Sequence, residues 1–305
     1  MTNSLPFLAN IFEVTNAAGV DLGEMKSRLK NKANNYQRFR IPKRTGGYRL
    51  LLAPQFRLRQ TQTWIRENIL DRLSVSPYAT AYRKGMSISA NAKVHEDGDW
   101  ILRMDIQNFF MNIREGAVSK VFEDAGYHSS VTKFMTNICT FSGFLPQGAP
   151  TSPALSNLIS KRMDVAIGTA ATHFGANYTR YSDDLVISSN DRDSLWACGK
   201  MVRRIVRTEG FRLNRKKMRL AGPGDSRRIT GLIIGSNGVG IGRRKEREIR
   251  AMIYRLGKKP TDDNYSELAK IFGYLSYISD VDPIRFNRLQ GQFEAKLESE
   301  HMVQP

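Results

Sequence analysis

The chain has 305 residues, 41% of them hydrophobic and 25% charged, so it can bury a sizeable core over two or three subdomains and is not a disordered polyelectrolyte. Its 47 Lys and Arg against 29 Asp and Glu give a net charge of +18 and a pI near 10.1, which points to a polyanionic partner. No apolar run is long enough to span a bilayer, residues 1–10 lack the basic stretch of a signal peptide, and the two widely spaced cysteines, Cys139 and Cys198, exclude a disulfide scaffold and read as buried thiols of a reducing cytoplasm.

Residues 1–35 read as helical in parts. Residues 36–54 read as a strand, a Gly46-Gly47 turn and a returning strand, with Lys43 and Arg49 flanking the turn. Set over an active site, these cations would hold a triphosphate; otherwise the segment is an exposed basic hairpin. Residues 55–73 follow as an amphipathic helix with Leu58, Ile65, Ile69 and Leu73 among its apolar positions. A Gly-Ser loop then leads to Asn91-Ala-Lys-Val-His95, whose lone histidine is more often structural than a ligand.

Residues 101–106 form an apolar strand-like run with one acidic residue, Asp105, near its end, and a carboxylate in a buried strand needs a partner. Phe109 and Phe110 follow directly, at least one of them a core aromatic. Residues 144–157 are a Gly/Pro-rich loop that closes on Ser152-Pro153, an N-cap and first-turn pair predicting a helix to about Gly168. A loop entering a helix N-terminus suits a phosphate or base-pair contact. At 177–189, apolar residues flank Tyr181-Ser182-Asp183-Asp184 on both sides, predicting a hairpin with the acidic pair at its turn. Asp193-Ser194 reads as the cap of a helix that runs to about Glu209 and ends at Gly210. Residues 211–220 are strand-like and very basic, and 229–241 read as a hairpin turning at Asn237-Gly238. From Arg243 the pattern is helical: Ile249, Met252, Ile253 and Leu256, then Leu268, Ile271, Phe272 and Leu275, mark core faces, which leaves the basic opposite face for RNA.

Adjacent carboxylates raise each other's pKa unless positive charge neutralises them. Asp183-Asp184 alone is compatible with a solvated turn. Asp105 on a second strand shifts the balance, because three carboxylates converging on adjacent strands would form a hard oxygen site for a divalent cation. Such a site is the apparatus of in-line nucleotidyl transfer, in which two metal ions clamp the attacking and leaving oxygens. The charge distribution agrees: residues 200–260 carry 19 Lys and Arg against 4 Asp and Glu, a net of +15, as a groove tracking a nucleic-acid backbone would.

In this order the motifs resemble those of a reverse transcriptase, specifically a bacterial retron reverse transcriptase, over roughly residues 36–241. Tyr181-Ser182-Asp183-Asp184 resembles the family's Tyr-x-Asp-Asp box. Residues 103–110 resemble its first metal-binding motif, and Leu145-Pro-Gln-Gly-Ala-Pro-Thr-Ser-Pro153 is similar to Leu-Pro-Gln-Gly-x-x-x-Ser-Pro, which packs against the incoming nucleotide and template. Residues 210–217 resemble the segment that supplies a lysine near the leaving pyrophosphate, and the hairpin near Gly231 resembles the primer grip. Two signatures resemble retrons in particular: Asn91-Ala-Lys-Val-His95 for Asn-Ala-x-x-His, and Ile229-Thr230-Gly231 for Val-Thr-Gly, with Ile in place of Val.

The resemblance implies an α+β right-hand polymerase fold: fingers and N-terminal region over 1–98, palm over 99–241 with some fingers elements interleaved, and a helical RNA-binding thumb over 242–305. It implies that Asp105 and Asp183, supported by Asp184 and grouped with Ile106, hold two Mg²⁺ ions. Lys43 and Arg49 would grip the triphosphate of a dNTP, Gln147 would lie beside its sugar and base, Phe110 under its sugar, and Lys217 at the leaving group. Asn91, His95, Thr230 and Gly231, with Arg243, Arg244, Arg247, Arg250 and Tyr254 of the thumb, would contact RNA. The implied product is a branched multicopy single-stranded DNA primed from an internal 2′-hydroxyl of a cognate non-coding RNA. Further implied are an accessory effector protein, a role in antiphage defence and, with no room for such a domain here, a host ribonuclease H. The alternatives are a group II intron-like or other phage-defence reverse transcriptase, or an inactive nucleic-acid-binding scaffold, against which the intact Asp105, Asp183 and Asp184 speak.

Overall fold

The computed structural model describes residues 4–43, 46–235, 238–256 and 261–301. Two short helices open the chain, each closed by a side chain: Asn10 accepts the Phe12 and Glu13 amides ahead of α1 (Ile11–Ala17), and Asp21 the Glu24 amide ahead of α2 (Leu22–Lys30). The expected ribbon follows as antiparallel β1 (Tyr36–Pro42) and β2 (Tyr48–Pro54). Helix α3 (Phe56–Asn68) gives way to a 3₁₀ turn over Leu70–Arg72, so that Ile69 and Leu70, adjacent in sequence, both reach the core. Next come α4 (Ile88–Lys93), β3 (Trp100–Asp105), α5 (Phe109–Asn112), α6 (Glu115–Asp124) and α7 (Ser129–Cys139).

The helix expected from Ser152 is two helices, α8 (Ser152–Ile159) and α9 (Lys161–His173). Thr151, not Ser152, takes the N-cap position; the Ser152 hydroxyl instead donates back to the Pro146 carbonyl at 2.8 Å and pins the preceding loop. The acidic hairpin forms as β4 (Asn177–Tyr181) and β5 (Asp184–Ser189). The cap of α10 (Arg192–Thr208) is Asp191 rather than Asp193-Ser194, whose two amides its carboxylate accepts. The basic stretch after it is mostly irregular, with a 3₁₀ turn over Arg215–Lys217 before the short β6 (Arg219–Ala221). The expected hairpin forms as antiparallel β8 (Leu232–Gly235) and β9 (Gly238–Gly240), and β7 (Arg227–Ile229) adds a third strand beside β8; Asn237 of the expected turn lies outside the described residues. Helices α11 (Gly242–Arg255), α12 (Thr261–Val281) and α13 (Pro283–His301) complete the chain.

The central sheet runs β4-β5-β3-β6, antiparallel throughout. Helices α9 and α10 pack on the face that carries Leu102, Met104 and Ile187. Gly199 allows this close approach, since a Cβ there would lie 2.5 Å from a Leu102 methyl. A second core gathers β7–β9 with α11–α13 and reaches Ala92 of α4, Ile101 and Val186. Phe272, expected in that core, is 57% exposed and meets Phe293 edge-on, while Ile271 and Leu275 take the buried positions. Among the described residues no helix is long and apolar enough to cross a membrane.

Candidate active site

Side chains alternate across a strand, so with Leu102 and Met104 beneath α10, Asp105 projects from the opposite face. The β3–β5 register sets Asp105 directly opposite Asp184, and the Ile106 amide donates to the Asp183 carbonyl at 2.8 Å, tying the acidic turn to the end of β3. Ser182 takes φ +61°, the left-handed conformation that lets Ser182-Asp183 turn the chain. The Asn214 amide donates to the Asp105 carbonyl at 2.7 Å and the Gln107 amide to the Arg212 carbonyl at 2.8 Å. These bonds carry the basic segment past the strand end and deliver Lys217 Nζ to Asp105 Oδ2 at 2.7 Å. Arg103 Nη2 lies 3.5 Å from Asp184 Oδ2. Burial, with the charge of Asp105 adding to it, pushes Asp183 above the usual carboxylate range, and Lys217 and Arg49 partly offset the rise. Asp184 is likewise raised by burial, against the pull of Arg103. The cluster thus needs positive charge.

Carboxylate oxygens in this number suit a hard divalent cation whose other ligands are substrate phosphates and water. The expected convergence of three carboxylates on one point is not seen: among the described residues no three His, Cys, Asp or Glu side chains are grouped to hold a metal ion. Lys217 and Arg103 each lie against a carboxylate oxygen an ion would use. Ile106 is 1% exposed, so only its main chain is available as a ligand.

The nucleotide residues are distributed around this point. Arg49 is close enough for its charge to act on Asp183. Lys43 is exposed at the ribbon's turn, where its amide donates to the Gly47 carbonyl at 2.9 Å. The Gln147 carbonyl accepts the Leu52 amide at 2.7 Å, docking the Gly/Pro-rich loop on β2. Gly148 takes φ +114° there, and a Cβ would fall 2.9 Å from the Leu52 carbonyl oxygen, so this approach requires glycine. Of the two phenylalanines, Phe109 is the core residue at 2% exposure. Phe110 is half-buried, with Phe109 edge-on at 5.5 Å and Tyr82 at 6.5 Å.

Asn91 and His95 are corrected from RNA contacts to internal braces, since both are fully buried. Asn91 Oδ1 accepts the Thr80 hydroxyl at 2.8 Å. His95 lies 2.8 Å from both Ser188 Oγ and Thr179 Oγ1, bridging β5 and β4 behind the acidic turn. Burial pulls its pKa down to about 4, so the ring is neutral. Thr230 and Gly231 form the β7–β8 turn at φ +46° and +91°, a strained conformation for a β-branched residue, and the Thr230 hydroxyl has no partner among the described residues. On α11, Arg243, Arg244, Arg247, Arg250 and Tyr254 are exposed, but Arg244 pairs with Glu248 at 3.2 Å and Arg250 with the buried Glu246 at 2.8 Å.

Five residues not singled out from the sequence complete the site. Arg180 and Asp164 are both fully buried and paired through Nη2–Oδ2 at 2.7 Å and Nε–Oδ1 at 2.8 Å, and the Tyr178 hydroxyl donates to the same carboxylate at 2.9 Å. Arg180 Nη1 donates to Asn157 Oδ1 and to the Ser182 carbonyl, each at 3.1 Å, so the guanidinium holds the acidic turn from below. Tyr82 donates its hydroxyl to Ser182 Oγ at 3.0 Å. An arginine inside an apolar strand was the available signal, because burial there demands a carboxylate.

Residues 41–250 match the family described as reverse transcriptase (RNA-dependent DNA polymerase). The chain is similar to the retron Ec86 reverse transcriptase of Escherichia coli, 33% identical over 305 residues, covering 99% of this chain and 93% of that protein. It is 31% identical over 307 residues to the retron Mx65 reverse transcriptase of Myxococcus xanthus, covering 93% and 71%, and 27% identical over 340 residues to the Mx162 enzyme of the same organism, covering 99% and 70%.

Proposed function

The chain belongs to the bacterial retron reverse transcriptases, RNA-directed DNA polymerases of right-hand fold, and from that premise we propose that it copies a cognate structured non-coding RNA into branched multicopy single-stranded DNA, beginning at an internal 2′-hydroxyl. The observation that carries the reading is the register that sets Asp105 opposite Asp184, next to Asp183, at one end of the sheet, with Lys217 and Arg49 as the nearby cations.

Divalent metal ions are general to this fold; here we assign two Mg²⁺, which activate the attacking hydroxyl and neutralise the departing pyrophosphate when bound. Asp105 and Asp183 would hold them, with Asp184 and the Ile106 main chain in support. Lys43 and Arg49 draw in the triphosphate, and Gln147 and Phe110 border the sugar. Lys217 exchanges its Asp105 partner for the leaving group and gives it charge or a proton. A 2′-hydroxyl is a poor nucleophile and must be held in line by a rigidly docked RNA. Such RNA is read by shape, backbone and unstacked loop bases, and Thr230-Gly231 and the exposed face of α11 are the surfaces assigned to it. Host ribonuclease H removes the template in the cytoplasm, and the product works with an accessory effector protein in antiphage defence.

DNA isolated from cells expressing the protein with its cognate RNA tests this. A ribonuclease-resistant RNA–DNA linkage that debranching enzyme removes is expected, and Asp183→Asn should yield no DNA. Unbranched DNA primed from an ordinary 3′ end would overturn the priming mode and leave the polymerase standing.

A further inference from the structure

Across the sheet from the carboxylates, α10 and the segment after it enclose a groove of about 950 Å³. Four cations line it from α10, Lys200, Arg203, Arg204 and Arg207, and three from the following segment, Arg212, Arg215 and Lys216; no Asp or Glu does. Met104 lies in its floor, and since Asp105 is the next residue along the strand, the groove and the polymerase site occupy opposite faces of the sheet.

None of the seven cations forms an ion pair among the described residues. Glu209, the acidic residue at the end of α10, is taken by Arg162 at 3.0 Å. An ordinary solvated helix face intersperses the two signs at i, i+4 spacing, as α11 does with Arg244 and Glu248. On α10, Lys200, Arg203 and Arg207 instead make one unbroken stripe, about 10 Å long at 1.5 Å per residue. Folding gains nothing from concentrating like charges in a concavity, where they repel one another and raise the local potential for an anion. The one aromatic in the lining, Phe211, is 7% exposed, so the groove offers no platform for stacking an unpaired base.

We infer that this groove is a second nucleic-acid site, which grips the phosphate backbone of a helical RNA segment outside the polymerase cleft. Only the identity of the polyanion rests on the reverse-transcriptase reading. Charge without stacking matches duplex RNA, which proteins recognise by shape and backbone. The groove would hold a stem of the RNA while another part of the same molecule enters the cleft.

The test uses the full chain and a fluorescein-labelled RNA hairpin with a stem of about 16 base pairs, titrated between about 50 and 200 mM KCl. Arg203→Gln/Arg204→Gln/Arg207→Gln should weaken binding about tenfold or more at low salt. It should also flatten the slope of log K against log salt by about 2 to 3, near 0.9 per lost phosphate contact. The triple lysine variant should restore both, because a phosphate site reads charge. Unchanged affinity and slope would overturn the inference, as would a loss that lysine does not rescue. So would a variant that keeps RNA binding but loses binding to phosphatidylserine vesicles. Extension of oligo(dT) on poly(A) by the wild-type chain, run in parallel, reports separately on reverse transcription: its absence would overturn that reading and leave the binding result intact.

Discussion

Phe110 and Phe109 are neighbours with different tasks. Phe109 packs against Phe211 at 5.6 Å with the Arg180 guanidinium 5.7 Å from its ring centre, whereas Phe110 keeps part of its ring exposed beside Tyr82. A ring beneath the nucleotide sugar leaves no room for a 2′-hydroxyl. Phe110→Ala should therefore lower the preference for dNTP over rNTP, measured as a ratio of kcat/KM, by about tenfold or more, since pocket-volume discrimination is worth roughly 1–3 kcal/mol. Phe109→Ala should instead cost about 3–5 kcal/mol of stability, read by urea denaturation. Unchanged discrimination in Phe110→Ala would make it a packing residue only. The sequence shows that one of the two belongs to the core. It does not show which, because the choice is made by residues distant in the chain, Tyr82 and Phe211, and not by the period of a four-residue helix.

At the level of elements, the acidic hairpin was legible because strand alternation and a charged turn are local signals. Its supports were not. Asp164 and Asn157 reach Arg180 from α9 and α8, and His95 reaches Thr179 and Ser188 from just beyond the end of α4. Helix α4 itself contributes Ala92 to the second core, so this segment links the acidic hairpin to α11–α13. Asp164→Asn should destabilise the fold by about 3–5 kcal/mol, because it strands the Arg180 charge away from water. Replacing both partners with apolar residues, Asp164→Leu/Arg180→Met, should recover much of that in urea denaturation. Polymerisation should stay impaired in the double variant, since the Ser182 carbonyl still lacks its donor; full activity there would show the pair to be structural alone. His95 gives a pH test. The folded chain holds the ring neutral down to about pH 4, whereas the unfolded chain takes up a proton near 6.5. Its contribution is complete above about 6.5 and is lost as pH falls towards 4, by about 3 kcal/mol in all. His95→Gln should remove that component from the pH dependence of stability, and an identical profile in the variant would refute the assignment.

Over the whole molecule, the +18 charge is sorted between surfaces by which cations have partners. Within α11–α13, Glu246 is only 6% exposed and accepts Arg250 at 2.8 Å and Arg285 at 2.9 Å, and it also pairs with Arg288. Asp282 binds Arg285 at 2.6 Å and accepts the Ile241 amide, fixing α13 to the start of α11. Arg250 therefore serves the fold, while Arg243 and Arg247, a turn apart on the same helix, have no ion pair among the described residues. Sequence periodicity placed all of these arginines on the face away from the core; the neutralised ones are those with an acid four residues away on the same helix, Arg244 with Glu248 and Arg250 with Glu246. The two groups should separate in experiment. Arg243→Gln/Arg247→Gln should leave thermal stability near wild type and reduce the salt slope of binding to the cognate RNA by about 2, near 1 per phosphate contact. It should lower priming on that RNA more than extension of a pre-annealed primer–template, because only priming requires the RNA fold to be held in place. Arg250→Gln should do the reverse, lowering Tm by removing a partner of a buried carboxylate while changing the salt slope little. If Arg250→Gln proves the stronger RNA-binding defect at unchanged Tm, then the Glu246 pairing is broken on binding and the division between the two groups of arginines is wrong.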